Sequence, residues 1–351
     1  MRKFIYSKYR DYKWDGKIMG LVAGIHEYRG RQTMYLSQRP AVLDKLVEIA
    51  KVQSTESSNA IEGIRTTSNR LKQLVAEKTT PKNRDEEEIA GYRHVLEIIH
   101  NNYKDIPITS NYILQLHKEL YRFSNKSLGG KYKNVQNQII SIDANGLEQI
   151  VFTPLEPYET EPAIKMICRQ YNEELASEDV DPLILIPIFI HDFLCIHPFS
   201  DGNGRMSRLL TTLLLYRSGY VVGRYVSLEK KIAETKQLYY QALNDSQVGW
   251  RAGTEDVTPF IKYLLQIIIA AYRDFEERID IVDQKSTAVD QVHKAINMII
   301  GKFTKSEIME LCPGLSRSAV EKSLRELVEK NVIVKRGVGR GTYYLRSDSF
   351  V

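Results

Sequence analysis

Between His197 and Arg208 the sequence reads His-Pro-Phe-Ser-Asp-Gly-Asn-Gly-Arg-Met-Ser-Arg. A base, an acid, a glycine-flanked turn and two guanidinium groups fall within a few helical turns of chain. Gly202 and Gly204 free the backbone to turn tightly and to approach a ligand closely. Asn203, Gly204 and Arg205 would open a helix whose first N–H groups lack intrahelical partners, which makes an anion nest. Arg205 and Arg208, three residues apart, lie on one face of that helix and suit a polyphosphate. Asp201 can hold a hard divalent cation shared with phosphate oxygens, as Mg²⁺ commonly binds. His197 can take a proton from a hydroxyl nucleophile. The chemistry implied is phosphate binding beside a general base, without a thiol, a serine triad or a Walker lysine.

The string resembles the signature of Fic-domain proteins, His-Pro-Phe-x-Asp/Glu-Gly-Asn-Gly/Lys-Arg-x-x-Arg, with no mismatch at the defining positions. The resemblance implies a protein adenylyltransferase that moves AMP from ATP to a Ser, Thr or Tyr hydroxyl of a target protein, itself included, and releases pyrophosphate. In that scheme His197 is the general base and Asp201 carries Mg²⁺. The Gly202–Gly204 backbone with Asn203 holds the α-phosphate, Arg205 the β-phosphate and Arg208 the γ-phosphate. Phe199 would anchor the loop in the core. Gly204 stands where relatives that act as kinases carry Lys, so this chain sides with AMP transfer.

Upstream, residues 54–64 read Ser-Thr-Glu-Ser-Ser-Asn-Ala-Ile-Glu-Gly-Ile. Ser58 and Glu62 share a helical face, and Gly63 is a natural helix stop. The pattern is similar to the inhibitory helix of the same family, Ser/Thr-x-x-x-Glu-Gly/Asn. That likeness implies that Glu62 pairs with Arg208, takes the γ-phosphate seat and makes ATP bind unproductively. It also leaves open hydrolytic AMP removal, with Glu62 orienting a water.

These groups need elements to position them. Residues 182–196 and 209–216 are apolar on nearly every face and read as two buried helices flanking the loop. Two β-prone runs around Asn145-Gly146 read as a hairpin over about 136–153. Its strands, 138–142 and 150–153, include Gln138, Ile139, Ile140, Ile150 and Val151. In Fic proteins the corresponding flap pairs with an extended target segment, which is strand addition. Tyr239 and Tyr240 look like the family's adenine-side Tyr-Tyr segment, with Gln247 or Asn244 as the amide. Neighbouring helical positions cannot both face one pocket. His191 and Cys195, on the first buried helix, read as packing residues.

The expected fold is mainly α, with a Fic helical core over 44–284 containing the inhibitory helix at about 50–64. Residues 1–43, with strand-like clusters at 18–25 and 34–36, read as a small N-terminal extension. Residues 285–351 read as helix, turn, helix and a glycine-tipped hairpin, which resembles a winged helix. Its basic residues could neutralise DNA phosphates, although Glu321, Glu326 and Glu329 interleave them; such modules also dock proteins. A DNA-binding regulator with a nucleotide-sensing core is therefore the competing expectation.

Composition bounds these readings. With 43% hydrophobic and 26% charged residues, the 351-residue chain has the makeup of an ordinary soluble protein with room for about two domains. Cys168, Cys195 and Cys312 are odd in number and widely spaced, matching neither a zinc pattern nor a disulfide framework, so a reducing cytoplasm is the expected setting. No apolar run reaches the length of a membrane span. Oligomeric state stays open, a homodimer included.

Overall fold

The computed structural model describes residues 2–38, 40–124, 128–142, 148–281 and 287–347. They form mainly helices: α1 (Gly16–Gln38), α2 (Pro40–Ile61), α3 (Ser68–Val75), α4 (Arg84–Asn102) and α5 (Ser110–Leu120) come first. A hairpin of β1 (Ile139–Ile142) and β2 (Glu148–Phe152) follows. Next come α6 (Pro157–Ser177), α7 (Pro182–Ile196), α8 (Asn203–Arg217), α9 (Leu228–Glu234), α10 (Lys236–Gln247) and α11 (Thr258–Ile281). The C-terminal part holds α12 (Ala288–Asn297), α13 (Lys305–Leu311), α14 (Arg317–Glu329), β3 (Ile333–Arg336) and β4 (Tyr343–Arg346).

The chain divides into two compact units, Met1–Glu27 with Ala50–Ala271 and Tyr28–Ile49 with Tyr272–Val351. The divisions fall within α1, α2 and α11, not at residues 43 and 284 where the composition changes.

In the first unit α7 packs against α6 and α8, and α4 packs against α3, α5 and α8. All but two residues of α7 are buried, each large aliphatic or aromatic side chain contributing on the order of 1.5–3 kcal/mol. Asp181 accepts from the Leu183 N–H, and Pro182 stands at the first helical position, where its missing N–H is harmless. Thr67, Asn83 and Thr109 cap α3, α4 and α5 through their side chains.

The strand-like reading of 18–25 and 34–36 is corrected: both stretches lie in α1. Ile18, Val22 and Ile25 are buried at four- and three-residue spacing, a helical period that their β-branched types disguise. The first residues are built into the core. Phe4, Tyr6 and Tyr9 are buried, and the Tyr6 hydroxyl donates to Asp192 Oδ2 of α7 at 2.9 Å. Trp250 Nε1 donates to the other oxygen of Asp192 at 2.6 Å. Burial raises the Asp192 pKa, so these donors offset the desolvation of its carboxylate.

The β1–β2 hairpin is antiparallel, with Ile140 opposite Ile150 and a register shift between Ile139 and Ile140. β2 starts two residues earlier than expected, at Glu148, and Gln138 lies just outside β1. The Asn145-Gly146 turn lies outside the described residues.

In the second unit α12, α13, α14 and β3 enclose a core of their own around Val292, Phe303, Ile308, Leu324 and Ile333. β3 pairs antiparallel with β4, and Phe303 bridges to Tyr344. No helix among the described residues is long and apolar enough to cross a membrane.

Candidate active site

α7 ends at His197, whose left-handed backbone (φ 50°, ψ 62°) turns the chain out of the helix and into the loop. His197 Nδ1 lies 3.3 Å from the Leu194 carbonyl oxygen. A carbonyl only accepts, so Nδ1 carries the proton and Nε2 keeps its lone pair. Burial lowers the His197 pKa to about 4, so the imidazole is neutral at physiological pH.

Phe199 is fully buried and stacks on His117 at 3.6 Å with ring planes 3° apart. His117 Nδ1 accepts from the Gly130 N–H at 3.1 Å, which leaves Nε2–H to donate to the Asp201 carbonyl, also at 3.1 Å. Both bonds require the neutral ring, and burial lowers its pKa to about 4. Lys133, itself buried, donates from its backbone N–H to the Pro198 carbonyl at 2.9 Å. Its ammonium donates to the Ile196 carbonyl at 3.2 Å and to Asn137 Oδ1 at 2.9 Å, and burial brings its pKa down to about 8. Asn137 in turn donates to the Phe199 carbonyl. The loop is thus held from outside itself.

Gly202, at φ +82°, caps α8, and a Cβ there would stand 3.0 Å from the Tyr121 hydroxyl. Asn203 spends its side chain on the loop: its Oδ1 accepts from the Phe199 N–H at 2.9 Å and its Nδ2 donates to the Phe199 carbonyl at 2.7 Å. Only its backbone is left to face an α-phosphate. Arg205 is buried and donates from Nη2 to Glu88 Oε2 at 2.8 Å and to the Tyr121 hydroxyl at 3.0 Å. Its Nε and Nη1 are buried with no partner among the described residues. A buried, half-satisfied guanidinium is costly unless an anion completes it.

Asp201, 40% exposed, accepts from the Gly202 N–H through Oδ1 at 2.7 Å, and its Oδ2 stands 3.5 Å from Arg84 Nη2. A single accessible carboxylate suits Mg²⁺, which takes one or two carboxylates and completes its shell with phosphate and water oxygens. Among the described residues no cluster of three or more His, Cys, Asp or Glu side chains gathers as a metal site, so Asp201 would be the protein's ligand.

At the far end of the arginine face, Arg208 donates to Ser58 Oγ at 2.8 Å, to the Ser58 carbonyl at 2.9 Å and to Glu62 Oε1 at 2.8 Å. α2 stops at Ile61 and Gly63 takes φ +82°, which leaves Glu62 in the turn. Lys236 Nζ donates to the Ile61 carbonyl at 2.8 Å, tying the helix end to α10. A Cβ on Gly204 would collide with Glu62 Oε1, so the carboxylate sits over the first turn of α8. His197, Asp201, Arg205 and Glu62 border one cavity of about 390 Å³.

Ile140 and Ile150 of the hairpin stand about half exposed. Tyr239 and Tyr240 diverge: Tyr239 is buried, with its hydroxyl beside Ser207 and Arg208, while Tyr240 is 40% exposed. Gln247 is turned to the hairpin, its Nε2 3.5 Å from the Val151 carbonyl and 3.2 Å from Asn244 Oδ1. His191 is buried 3.6 Å from Cys195 Sγ. The sequence reading missed Glu88, His117, Tyr121 and Asn137, whose partners are remote in the chain. Lys133 lies in a stretch, 129–134, where the composition changes abruptly.

The Fic/DOC family model matches residues 107–215, which include the whole loop. The chain is 26% identical over 234 residues to a protein adenylyltransferase Fic of Nematostella vectensis, covering 63% of this chain and 48% of the relative. It is 34% identical over 113 residues to protein adenylyltransferase fic-1 of Caenorhabditis elegans, covering 32% and 20%. The chain spans about half or less of the length of these curated relatives. Its fold is that of a Fic family protein from Desulfovibrio desulfuricans G20 (24% identity, TM-score 0.59, 95% and 97% covered). It is also that of Fic-1 from C. elegans (20%, 0.61, 76% and 74%).

Proposed function

We propose, from the Fic/DOC match of residues 107–215, that the chain transfers AMP from ATP to a hydroxyl of a protein and is held in check by Glu62. The observation that carries this reading is the convergence of His197, Asp201, Arg205 and the first turn of α8 on one cavity. Names of relatives support the reaction class.

His197 Nε2 takes the proton as the target oxygen bonds to the α-phosphorus. The bond from that phosphorus to the β-phosphate bridging oxygen breaks, and pyrophosphate leaves with the bond's electron pair. The unpartnered Nε and Nη1 of Arg205 suit the β-phosphate oxygens on which charge builds. Asp201 would hold Mg²⁺, which supplies charge neutralisation to the phosphates. The backbone N–H groups of 203–205 receive the phosphate at the positive end of α8. Ile140 and Ile150 border the edge on which a target strand would lie.

Inhibition follows from the position of Glu62. The helix terminus and Arg208 attract its carboxylate as they would a phosphate, so the γ-phosphate has no seat while Glu62 stays. Removing AMP by hydrolysis would use the same base, with water in place of the target hydroxyl.

Intact-mass spectrometry of the Glu62→Gly protein with Mg²⁺ and ATP tests the reading. The expected result is addition of AMP to the protein or to an added target, dependent on Mg²⁺ and absent in Glu62→Gly/His197→Ala. If α-phosphate-labelled ATP leaves no covalent mark on any protein even in Glu62→Gly, transfer is ruled out.

A further inference from the structure

Of the chain's 49 Lys and Arg and 44 Asp and Glu, twelve and seven lie beyond residue 284, which leaves 37 of each before it. The entire net charge of +5 therefore belongs to the C-terminal module, and the rest of the chain is neutral. Nothing in AMP transfer asks for that segregation.

The module's geometry gives the charge a direction. α14 buries Val320, Leu324 and Leu327 in the module's own core. Ser318, Lys322 and Arg325, at four- and three-residue spacing, form an exposed stripe. Neither Lys322 nor Arg325 has an ion-pair partner among the described residues. The acids that interrupt this helix in sequence are mostly engaged elsewhere: Glu321 holds Lys305 at 2.6 Å and Arg317 at 3.1 Å, and Glu326 holds Lys330 at 2.8 Å. Beside the stripe, α13, α14 and the β3–β4 hairpin enclose a cavity of about 720 Å³, with Arg325 on one wall and exposed Lys335 on the other.

We infer that this module is a winged helix that binds duplex DNA, with α14 in the major groove and the hairpin against the flanking phosphates. A 13-residue helix is about 20 Å long, and a helix fits the major groove when one face is free of packing. On the free face of α14 Ser318 is a short donor that can reach a base edge, and the longer Lys322 and Arg325 can reach phosphates. Lys335 lies across the cavity, where a backbone leaving the groove would pass. An acidic protein surface would meet the same charges, but it would not need a one-faced helix flanked by a basic hairpin.

Fluorescence anisotropy of the full-length chain with a labelled duplex, titrated between about 50 and 200 mM salt, tests this. The expected result is binding that weakens steeply with salt. The double reversal R325E/K335E should weaken it at least about tenfold and lower the log–log salt slope by roughly 2, one unit for each lost phosphate contact. The control K72E/K78E, two exposed lysines outside the module, should leave both quantities unchanged. The inference is overturned by no binding at the lowest salt, by equal loss in the control, or by R325E/K335E binding as tightly as the parent. It is also overturned if poly-glutamate competes as well as unlabelled duplex. Circular dichroism and AMP transfer should be unchanged in R325E/K335E.

Discussion

Arg205 and Arg208 lie one turn apart on α8, but of the two Arg205 lines the cavity beside His197 and Asp201, and the regions that receive them differ. Arg205 meets α4 and the end of α5, where its partner Glu88 is buried and is itself held by Arg84 at 2.7 Å. Arg208 meets the end of α2, where Ser58 is fully buried but Glu62 is 35% exposed and stands in a turn. The first region fixes a guanidinium that still has two free donors. The second separates two tasks, with Ser58 orienting the guanidinium and Glu62 covering it. Glu62, 35% exposed, regains water when it leaves, and Arg208 stays bonded to Ser58, whereas Glu88 is buried and breaking a buried pair on one side is strongly destabilising. On the proposed function, Arg205 would be a permanent part of the phosphate site and Arg208 the gated one.

The sharpest way to break this comparison is to remove each arginine in the Glu62→Gly background. Arg205→Ala should slow AMP transfer by on the order of 10²–10³, as loss of a transition-state donor does. Arg208→Ala should cost less, and equal losses in a labelled-ATP rate assay would erase the distinction. Next in size, Glu62→Gly alone should raise the rate by roughly ten- to a hundredfold, the equivalent of one charge-assisted bond of about 1.5–3 kcal/mol returned to the phosphate. An unchanged rate would mean that the gate is not closed. Smaller still, Lys236→Met removes the bond to the Ile61 carbonyl and should raise the rate about two- to fivefold. In the Glu62→Gly background it should do nothing, because the two changes act through one contact.

The smallest effect on rate is expected from pH. Both guanidiniums stay charged throughout, and below about pH 7, where the Lys133 ammonium is also protonated, pH acts through the histidines. With His197 titrating at about 4, transfer should be level from about pH 7 to 5 and fall only as pH approaches 4. Stability responds earlier. His100, His117, His191 and His197 are all lowered to about 4, chiefly by burial. Between an unfolded pKa of about 6.5 and that value the unfolded chain binds protons that the folded chain does not, so stability is lost as pH falls through this window. Thermal melts should show Tm dropping from about pH 6.5 downward while the rate at low temperature holds.

The turn and helix start between His197 and Arg208 were legible in the sequence because the residues that make them are contiguous. The turn, the helix start and the two arginines need only local geometry to come together. Ser58, Glu62 and Gly63 were legible as a helix end for the same reason. The first helix was misread because Ile18, Val22 and Ile25 were weighed by residue type rather than by spacing. Glu88, His117 and Lys133 gave no local signal of their partners. Their contacts join residues scores of positions apart, and one-dimensional patterns carry no such pairing.

By itself the sequence determined which groups are present and their order along α8, as well as the segregation of all net charge beyond residue 284. It also determined the stop at Gly63, since a left-handed backbone there favours glycine. Tertiary structure decided the protonation state of His197, because desolvation and the Leu194 carbonyl set its charge and tautomer. It decided that the Asn203 side chain holds the loop and that Tyr239 faces inward while Tyr240 does not. Above all it decided the difference between Arg205 and Arg208, two identical side chains whose carboxylate partners are buried to different depths.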